Sequence, residues 1–404
     1  MAWKRINHLC CYIMLLWAYL PVLAVYQSSL FFQIPFLCAM GLWILTALQQ
    51  MTAKSRQACI ILMGSYMLIM YLYVILKYGN LTVLVSFRYI LLFAFGVNGI
   101  YYIEQPDRSF AKKILLVSVS LIILTAITTF LVLMVDGNAA RTLTSSSSSQ
   151  ALTLAYKKLN VCSYGFIYGV VIIIPMLIFY SLPQKKLVIN ALIWSIIVFF
   201  TSVVIMSNFT TALMLLFVDF VLVLLIGRGQ KSNFSFLISL VILVFVVPTI
   251  FVLFLNFMSQ MSESIYAQSK LESILGIISG QKSYASATSR HDLFMISLNS
   301  FSESPLWGIG AWYGSGSPYI GQHAQFIDDL ARYGLLGFIP LIGFVLYGMK
   351  SIYNASYGKH FYNKKVLISI IIFLALGFMN PIYDSDLLAS VFIVVPMLDK
   401  MCYE

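Results

Sequence analysis

The sequence predicts an all-α polytopic membrane protein with about twelve transmembrane helices. Hydrophobic residues make up 61% of its 404 residues and charged residues only 10%, whereas soluble domains carry roughly a quarter charged residues. Apolar runs of about 20 residues, the length that crosses a bilayer, recur along the chain. These runs are apolar on both faces, unlike the alternating strands of a β-barrel. We therefore expect one integral membrane domain spanning residues 1–404.

The candidate spans follow each other closely, and the last two are short. They lie at about 9–26, 30–48, 58–76, 81–103, 114–135, 161–182, 187–206, 210–227, 234–257, 333–349, 366–381 and 387–399. No small-residue cleavage site follows the first run, and the hydrophobic pattern continues beyond it. We therefore expect a span there rather than a cleaved signal.

The distribution of basic residues predicts the orientation. With both termini in the cytoplasm, the inner segments hold sixteen of the 25 lysines and arginines. These are Lys4, Arg5, Lys54, Arg56, Arg108, Lys112, Lys113, Lys185, Lys186, Arg228, Lys231, Lys350, Lys359, Lys364, Lys365 and Lys400. Every inner loop is then basic, as the positive-inside rule requires. The net charge of +11 thus reflects topology and does not indicate nucleic-acid binding.

This topology leaves two long segments outside, residues 136–160 and 258–332. The first contains the serine run Ser145–Ser149, which is typical of a flexible linker. The second lies between spans 9 and 10. Its length and its aromatic residues, such as Trp307 and Trp312, favour an ordered functional element at the membrane surface. We therefore expect the functional site in residues 258–332.

Missing motifs argue against several classes of function. The sequence contains no Walker loop, GxGxxG or HExxH pattern, which disfavours an ATP-driven pump and a zinc membrane protease. Its six cysteines provide no CxxC-type pair, and neither outer segment holds a cysteine pair. We expect no metal, no other cofactor and no disulfide framework.

Arg290 and His323 are the candidate catalytic residues of the large outer segment. Arginine keeps its charge and offers a planar donor fork that matches phosphate oxygens. Histidine titrates near neutrality, so it can remove a proton from an attacking hydroxyl. The pair suits group transfer from a lipid diphosphate. Structural roles remain open as well, because Arg290 can pair with Asp292 or with lipid phosphates and His323 can cap a helix. Residue chemistry alone favours these structural roles.

The residues after His323 predict a short helix. Phe326, Leu330 and Tyr333 recur at helical spacing, so residues 325–333 are expected to form an amphipathic helix. Gly334 follows directly, and glycine commonly ends a helix because it adopts the left-handed conformation at little cost. His323 would then lie at the start of this helix.

Three motifs occur in order in this segment. They are Ser289–Arg290, the turn Ser304–Gly310 with the sequence SPLWGIG, and His323 separated by ten residues from Gly334 and an LLG span start. This combination resembles the Wzy-type repeat-unit polymerases of O-antigen and capsular polysaccharide, which share a superfamily with the O-antigen ligases. The motifs cover about fifty residues, while the topology is similar over the whole chain. The resemblance implies a GT-C-like helical bundle in which Arg290 binds a lipid diphosphate and His323 is the catalytic base.

The activity implied by the resemblance is that of an extracytoplasmic glycosyltransferase, multi-pass in the bacterial plasma (inner) membrane. It would pass a growing glycan from a polyprenyl diphosphate carrier to a hydroxyl of another lipid-linked repeat unit. Donor and acceptor are then both polyprenyl-diphosphate-linked oligosaccharides, surrounded by membrane lipids. A chain-length regulator is an optional further partner. No nucleotide sugar is required, and members of the family are thought to need no metal.

Three alternatives remain. A ligase of the same superfamily would pass the finished polymer to a different acceptor. A flippase for lipid-linked oligosaccharides is disfavoured, because no convincing internal repeat relates the two halves and intramembrane charge is almost limited to Arg88. A non-catalytic assembly subunit would tolerate replacement of His323.

The sequence departs from the family at a second arginine, which members often carry near the outer end of a mid-chain span. The corresponding stretch here is Ser207–Thr211, where Asn208 and Thr211 can donate hydrogen bonds but bring no charge. Arg141 in the first outer segment, together with Lys157 and Lys158, could supply the missing positive charge.

Arg88 is another candidate, because it lies inside the fourth predicted span. A charge within a span is costly unless it is paired or hydrated, so it indicates function by default. A structural role remains open, with Glu104 or backbone carbonyls as the partner.

Acidic residues complete the set of candidates. Asp328 or Asp329 could orient the imidazole of His323. Asp384 and Asp386 form a DxD pattern that can hold a divalent cation in other transferases. In a short loop they are better interpreted as solvated acids.

Overall fold

A computed structural model describes residues 2–26, 29–78, 87–105, 107–143, 149–181, 186–227, 285–309, 320–355 and 363–401. Within these ranges the secondary structure is helical throughout, with turns and short connections between the helices. The predicted all-α class is therefore confirmed. The predicted ninth span, residues 234–257, lies outside the described residues.

Most helices overlap the predicted runs, although the first helix begins and ends seven residues before its predicted span of 9–26. In chain order they are α1 (Ala2–Tyr19), a 3₁₀ turn (Pro21–Tyr26), α2 (Leu30–Gln50), α3 (Ala53–Tyr78), α4 (Phe87–Glu104), α5 (Arg108–Val135), α6 (Ala139–Thr142), α7 (Gln150–Lys158), α8 (Tyr164–Ser181), α9 (Leu187–Met206), α10 (Thr210–Gly227), α11 (Ala285–Glu303), α12 (Gln325–Ala355), α13 (Asn363–Gly377), α14 (Ser385–Ala389), a π turn (Ser390–Val394) and α15 (Val395–Met401).

Six helices in the described part of the chain are long and apolar enough to cross a membrane. They include α2, α5, α8, α9, α12 and the Ala53–Leu72 portion of α3. Helices α10 and α13 contain shorter apolar stretches. These helices support a multi-pass membrane protein, while the number of twelve spans and their orientation stay predictions.

Helix α8 and the C-terminal helix form the centre of the bundle. The C-terminal helix comprises α14, the π turn and α15, which continue into one another from Ser385 to Met401, and it contacts α1, α4, α5, α8 and α13. Nearly all of its side chains are buried, as are those of α8. The last predicted span is therefore surrounded by protein rather than by lipid, which fits its short apolar run.

Glycines allow neighbouring helices to approach this central helix. A Cβ atom at Gly169 of α8 would lie 2.5 Å from Ser390 Oγ, and one at Gly165 would lie 2.4 Å from Asp386 Oδ1. The two contacts advance together along both helices, so α8 and the C-terminal helix run parallel. Gly165 and Gly169 form a GxxxG pattern, which is common where membrane helices pack closely. Gly99 of α4 makes an equally close approach, since a Cβ atom there would lie 2.6 Å from the backbone oxygen of Phe392.

A buried polar network joins α1, α2 and α4 at the end predicted to face the cytoplasm. The side-chain amide of Asn7 donates to Thr46 Oγ1 and Asn98 Oδ1, both at 3.0 Å. Its carbonyl accepts from the Tyr102 hydroxyl at 2.7 Å, and that hydroxyl accepts from Trp43 Nε1 at 2.8 Å. Because buried polar groups are costly when unpaired, these mutual bonds fix how the three helices align.

The Gly99→Ala substitution tests the packing of α4 on the central helix. We expect a loss of about 1–3 kcal/mol of stability, because the added methyl meets backbone that can yield only if the helices separate. The matched control is Gly41→Ala on α2, where a Cβ would meet nothing within 4 Å. The measurement is thermal unfolding of the two purified variants in detergent. Equal melting temperatures would contradict the described α4 contact.

Candidate active site

A cavity of about 500 Å³ lies where the end of α1, the start of α4 and the start of α8 meet the loop before α14. Arg88 and Lys157 contribute positive charge to its wall, and Tyr164, Tyr383 and Asp384 contribute oxygen atoms. The lining residues lie at the predicted outer ends of spans 1, 4 and 6 and in the predicted outer loops beside them. The cavity therefore sits where a lipid-linked substrate is expected, and it offers both cations and hydrogen-bonding groups.

Arg88 is the most distinctive residue of this cavity. Its side chain is 39% exposed, and its Nη2 atom lies 3.9 Å from Asp384 Oδ1. Glu104, the partner considered from sequence, instead accepts hydrogen bonds from the backbone and hydroxyl of Thr52 at the far end of α4. Sixteen residues of helix separate the two positions, or about 24 Å. Glu104 is therefore not the partner of Arg88, because it lies at the other end of the helix while Asp384 faces Arg88 across the cavity.

The prediction that Asp384 and Asp386 are solvated loop acids is also wrong. Asp386 is only 9% exposed, and Gly165 at the start of α8 packs directly against both carboxylates. Burial raises the pKa of Asp384, with the Arg88 guanidinium and the Tyr164 hydroxyl acting in the opposite direction. Burial and the neighbouring charge of Asp384 raise the pKa of Asp386. Because both pKa values are raised, the two acids balance the charges of Arg88 and Lys157 less than fully, so the cavity can accept an anionic ligand.

The remaining sequence candidates near this cavity lie beside it rather than in its wall. Arg141 is half-buried in α6, two residues before Leu143, which does line the cavity. Asn208 has a left-handed backbone with φ of 56°, and its side-chain amide donates to the Gly137 carbonyl at 3.3 Å. Thr211 is buried in the first turn of α10. Asn208 thus ties α9 and α10 to the segment that carries Arg141.

The SPLWGIG turn packs into a break in α12. Gly334 interrupts that helix with φ of 56° and ψ of −169°, which confirms the predicted helix end there. Backbone bonds run both ways between the two segments, from Ile309 N to Ala331 O at 3.0 Å and from Leu335 N to Pro305 O at 2.8 Å. Gly308, with φ of 70°, faces Gly334 so closely that a Cβ on either glycine would meet backbone. The second and third sequence motifs therefore form one structural unit.

The loop that carries His323 is fixed from both sides. Ser297 Oγ of α11 donates to Asp328 Oδ1 at 2.6 Å and accepts from Gly321 N at 2.9 Å. The other oxygen of Asp328 accepts from Ala324 N at 3.2 Å. Asp328 thus holds the backbone on the far side of His323, whose own side chain is exposed.

Arg290 and His323 belong to elements that touch each other. The side chain of Arg290 lies outside the described residues, although its backbone belongs to α11. Leu293, one turn later on α11, packs its carbonyl against Gly321, two residues before His323. The helix of the first motif and the loop of the third motif are therefore in direct contact.

Tyr89 connects this loop region to the cavity. It follows Arg88 on α4, and its hydroxyl donates to Asp329 Oδ1 on α12. Gln325 Nε2 donates to the same oxygen at 2.9 Å. The Tyr89 ring packs 5.4 Å from the ring of Tyr383, which lines the cavity. Sequence analysis missed Tyr89, because nothing in the local pattern marks one aromatic residue among many in an apolar helix.

Comparison with known families adds an independent observation. Residues 194–345 match the family model of the O-antigen ligases. The match covers little more than a third of the chain, from the middle of α9 into α12, and includes the SPLWGIG turn, His323 and Gly334. It supports a place in the O-antigen ligase and polymerase superfamily and a role in polysaccharide assembly, without separating polymerase from ligase. A search among curated proteins returned no match.

The Asp328→Asn substitution tests how the His323 loop is held. An amide group replaces one of two acceptor oxygens, so either Ser297 Oγ or Ala324 N loses its partner at a cost of about 1–3 kcal/mol. Backbone amides of residues 320–324 should then exchange with deuterium roughly 5- to 100-fold faster. Asp292→Asn is the matched control, since Asp292 is 71% exposed and contacts only His291 in the ion pairs described. Unchanged exchange in the Asp328 variant would show that its carboxylate does not hold the loop.

Proposed function

We propose that this protein is an extracytoplasmic glycosyltransferase that joins polysaccharide repeat units carried on a polyprenyl diphosphate. The observation that carries the proposal is the contact between α11 and the His323 loop, inside a stretch that matches the O-antigen ligases. This contact brings the segment of the fixed cation and the segment of the titratable base together. The cavity around Arg88 lies on the adjoining elements, and Arg88 and Lys157 contribute positive charge to its wall.

The reaction needs one base and a set of cations. His323 accepts the proton of an acceptor hydroxyl as its oxygen attacks the anomeric carbon of the donor glycan. The bond from that carbon to the diphosphate oxygen breaks, and the polyprenyl diphosphate leaves with the bonding electrons. Arg290 and Arg88 stabilise the negative charge that develops on the leaving group. His323 then passes its proton to solvent.

Arg88 fills the role of the second arginine that residues 207–211 lack. It lies on a different helix, yet Tyr89 links its position to Asp329 of the His323 element. Asp384 Oδ1 lies 3.9 Å from Arg88 Nη2 and balances part of its charge. The diphosphate carries more charge than one carboxylate, so it displaces Asp384 as the partner of Arg88.

A ligase is the second candidate, because the matching family model is that of the O-antigen ligases. It uses the same donor and base but passes the finished polymer to a different acceptor. The two functions leave different products when activity is lost, and cellular products therefore distinguish them.

The His323→Ala substitution tests the base. Cells lacking the protein are complemented with wild type, His323→Ala or His291→Ala, and lipid-linked glycans are resolved by gel alongside membrane protein levels. His291 is the matched control because its side chain is 72% exposed and it lies in the same predicted outer segment, residues 258–332. We expect His323→Ala to leave single repeat units on the carrier, since a positioned base contributes roughly 10²–10⁴-fold to the rate.

Each other product pattern has a definite meaning. Long chains that remain on the carrier identify a ligase. Normal, fully processed polymer in the His323→Ala strain would show that His323 is structural and would overturn the catalytic assignment.

The Arg88→Gln substitution tests the cavity separately. Transfer is expected to fall by about 10²–10³-fold, the typical loss when one preorganised stabiliser of developing charge is removed. Arg88→Lys should recover part of the activity, because it restores charge without the planar fork. Arg56→Gln, on α3 at the predicted inner end, serves as control. Wild-type transfer by Arg88→Gln in purified membranes would exclude a role in diphosphate binding.

A further inference from the structure

A second cavity, of about 360 Å³, lies at the opposite end of α1, between that helix and the start of α5. It is separate from the proposed active site, since Arg5 here and Trp17 there are twelve residues apart on α1, or about 18 Å. None of the groups assigned to glycan transfer contributes to it.

The wall of this second cavity carries uncompensated positive charge. Arg5 and Lys113 both line it, and neither takes part in the carboxylate ion pairs of the described residues. The one acid in the wall, Asp107, is already engaged, with Lys4 Nζ at 2.9 Å and with Phe110 N, which donates to it at 3.0 Å. The cavity is therefore suited to a phosphate group, which arginine binds through its fork and lysine as a point charge.

His8 is an uncharged hydrogen-bonding group close to these cations. It lies in the wall, just before the first predicted span, and stacks on Phe110. Burial is the main cause that lowers its pKa to about 4; the charge of Lys4 lowers it further, Asp107 acts in the opposite direction, and Lys113 lowers it slightly. The imidazole is therefore neutral at physiological pH and offers a hydrogen bond without charge.

An apolar surface continues from the cavity along α1. Leu9 lines the cavity and is 62% exposed. Ile13 and Leu16 follow at helical spacing on the same face, and both are exposed large apolar residues. Inorganic phosphate would make no contact with this apolar surface, whereas the acyl chains of a lipid would cover it.

We propose that this cavity binds the phosphate headgroup of an anionic phospholipid, with its acyl chains along Leu9, Ile13 and Leu16. Arg5 and Lys113 hold the phosphate, and the Ser109 hydroxyl in the wall donates to it. The bound lipid bridges the ends of α1 and α5. Because Asn7 of α1 anchors the adjoining polar network, lipid binding stabilises that whole end of the bundle.

Native mass spectrometry of the purified full-length protein in uncharged detergent tests this site. The probes are phosphatidylglycerol, phosphatidylcholine and inorganic phosphate, each titrated at the same concentrations. We expect phosphatidylglycerol to bind with the highest affinity and to raise the melting temperature. Lys113→Gln should weaken it roughly fivefold and Arg5→Gln with Lys113→Gln roughly twenty-fold or more, from about 1 kcal/mol per basic residue near a membrane surface.

The adjacent Lys112→Gln variant is the matched control, since Lys112 belongs to the same turn of α5 but does not line the cavity. An equal loss in Lys112→Gln and Lys113→Gln would mean diffuse surface attraction and would overturn the site. Equal binding of phosphatidylcholine would overturn the need for an anionic lipid. Competition by inorganic phosphate at the lipid's own concentrations would indicate a soluble ligand instead.

Discussion

Gly165 and Gly169 let α8 approach the C-terminal helix so closely that the side chains of Asp384, Asp386 and Ser390 fill the space where their own side chains would lie. Gly99 does the same for α4 from another direction. The three helices are held at a fixed spacing, because any added carbon atom meets an oxygen already in place. This spacing brings Asp384 opposite Arg88, so the charge pattern of the first cavity depends directly on glycine packing.

The outer loop depends on a second close contact, between Gly308 and Gly334. Backbone bonds from the SPLWGIG turn occupy the groups that the break in α12 leaves unpaired, so neither segment needs a side chain to hold the other. Asp328 and Ser297 then fix the loop before α12, and Tyr89 joins α12 to α4. The loop before α12 is thus held against the same helix that supplies Arg88, as the proposed transfer reaction requires of a site that orients its substrates.

Hydrophobic runs and terminal signals predicted much of this fold. Helical periodicity and one glycine were enough to place the end of the short helix at Gly334, because both signals are local. Arg88 and Asp384 face each other in the cavity but are more than 290 residues apart in the sequence. No local sequence pattern identifies such a pair. A signal did exist in the GxxxG of α8, which marks a face that must pack closely. The final apolar run, residues 387–399, looks short for a span when judged by its length alone. Its burial depends on neighbouring helices that are distant in the sequence.

The π turn at Ser390–Val394 holds one residue more than an α-helix of the same height. Side chains beyond it are rotated by about 100° from the positions that a regular helix would give them. Ser390 can therefore face Gly169 and the Tyr19 hydroxyl while Lys400, further along, donates to the Gln105 carbonyl. The extra residue sets the rotational phase between the two ends of the molecule. A single-residue deletion here would leave each end correctly formed and the two ends out of register.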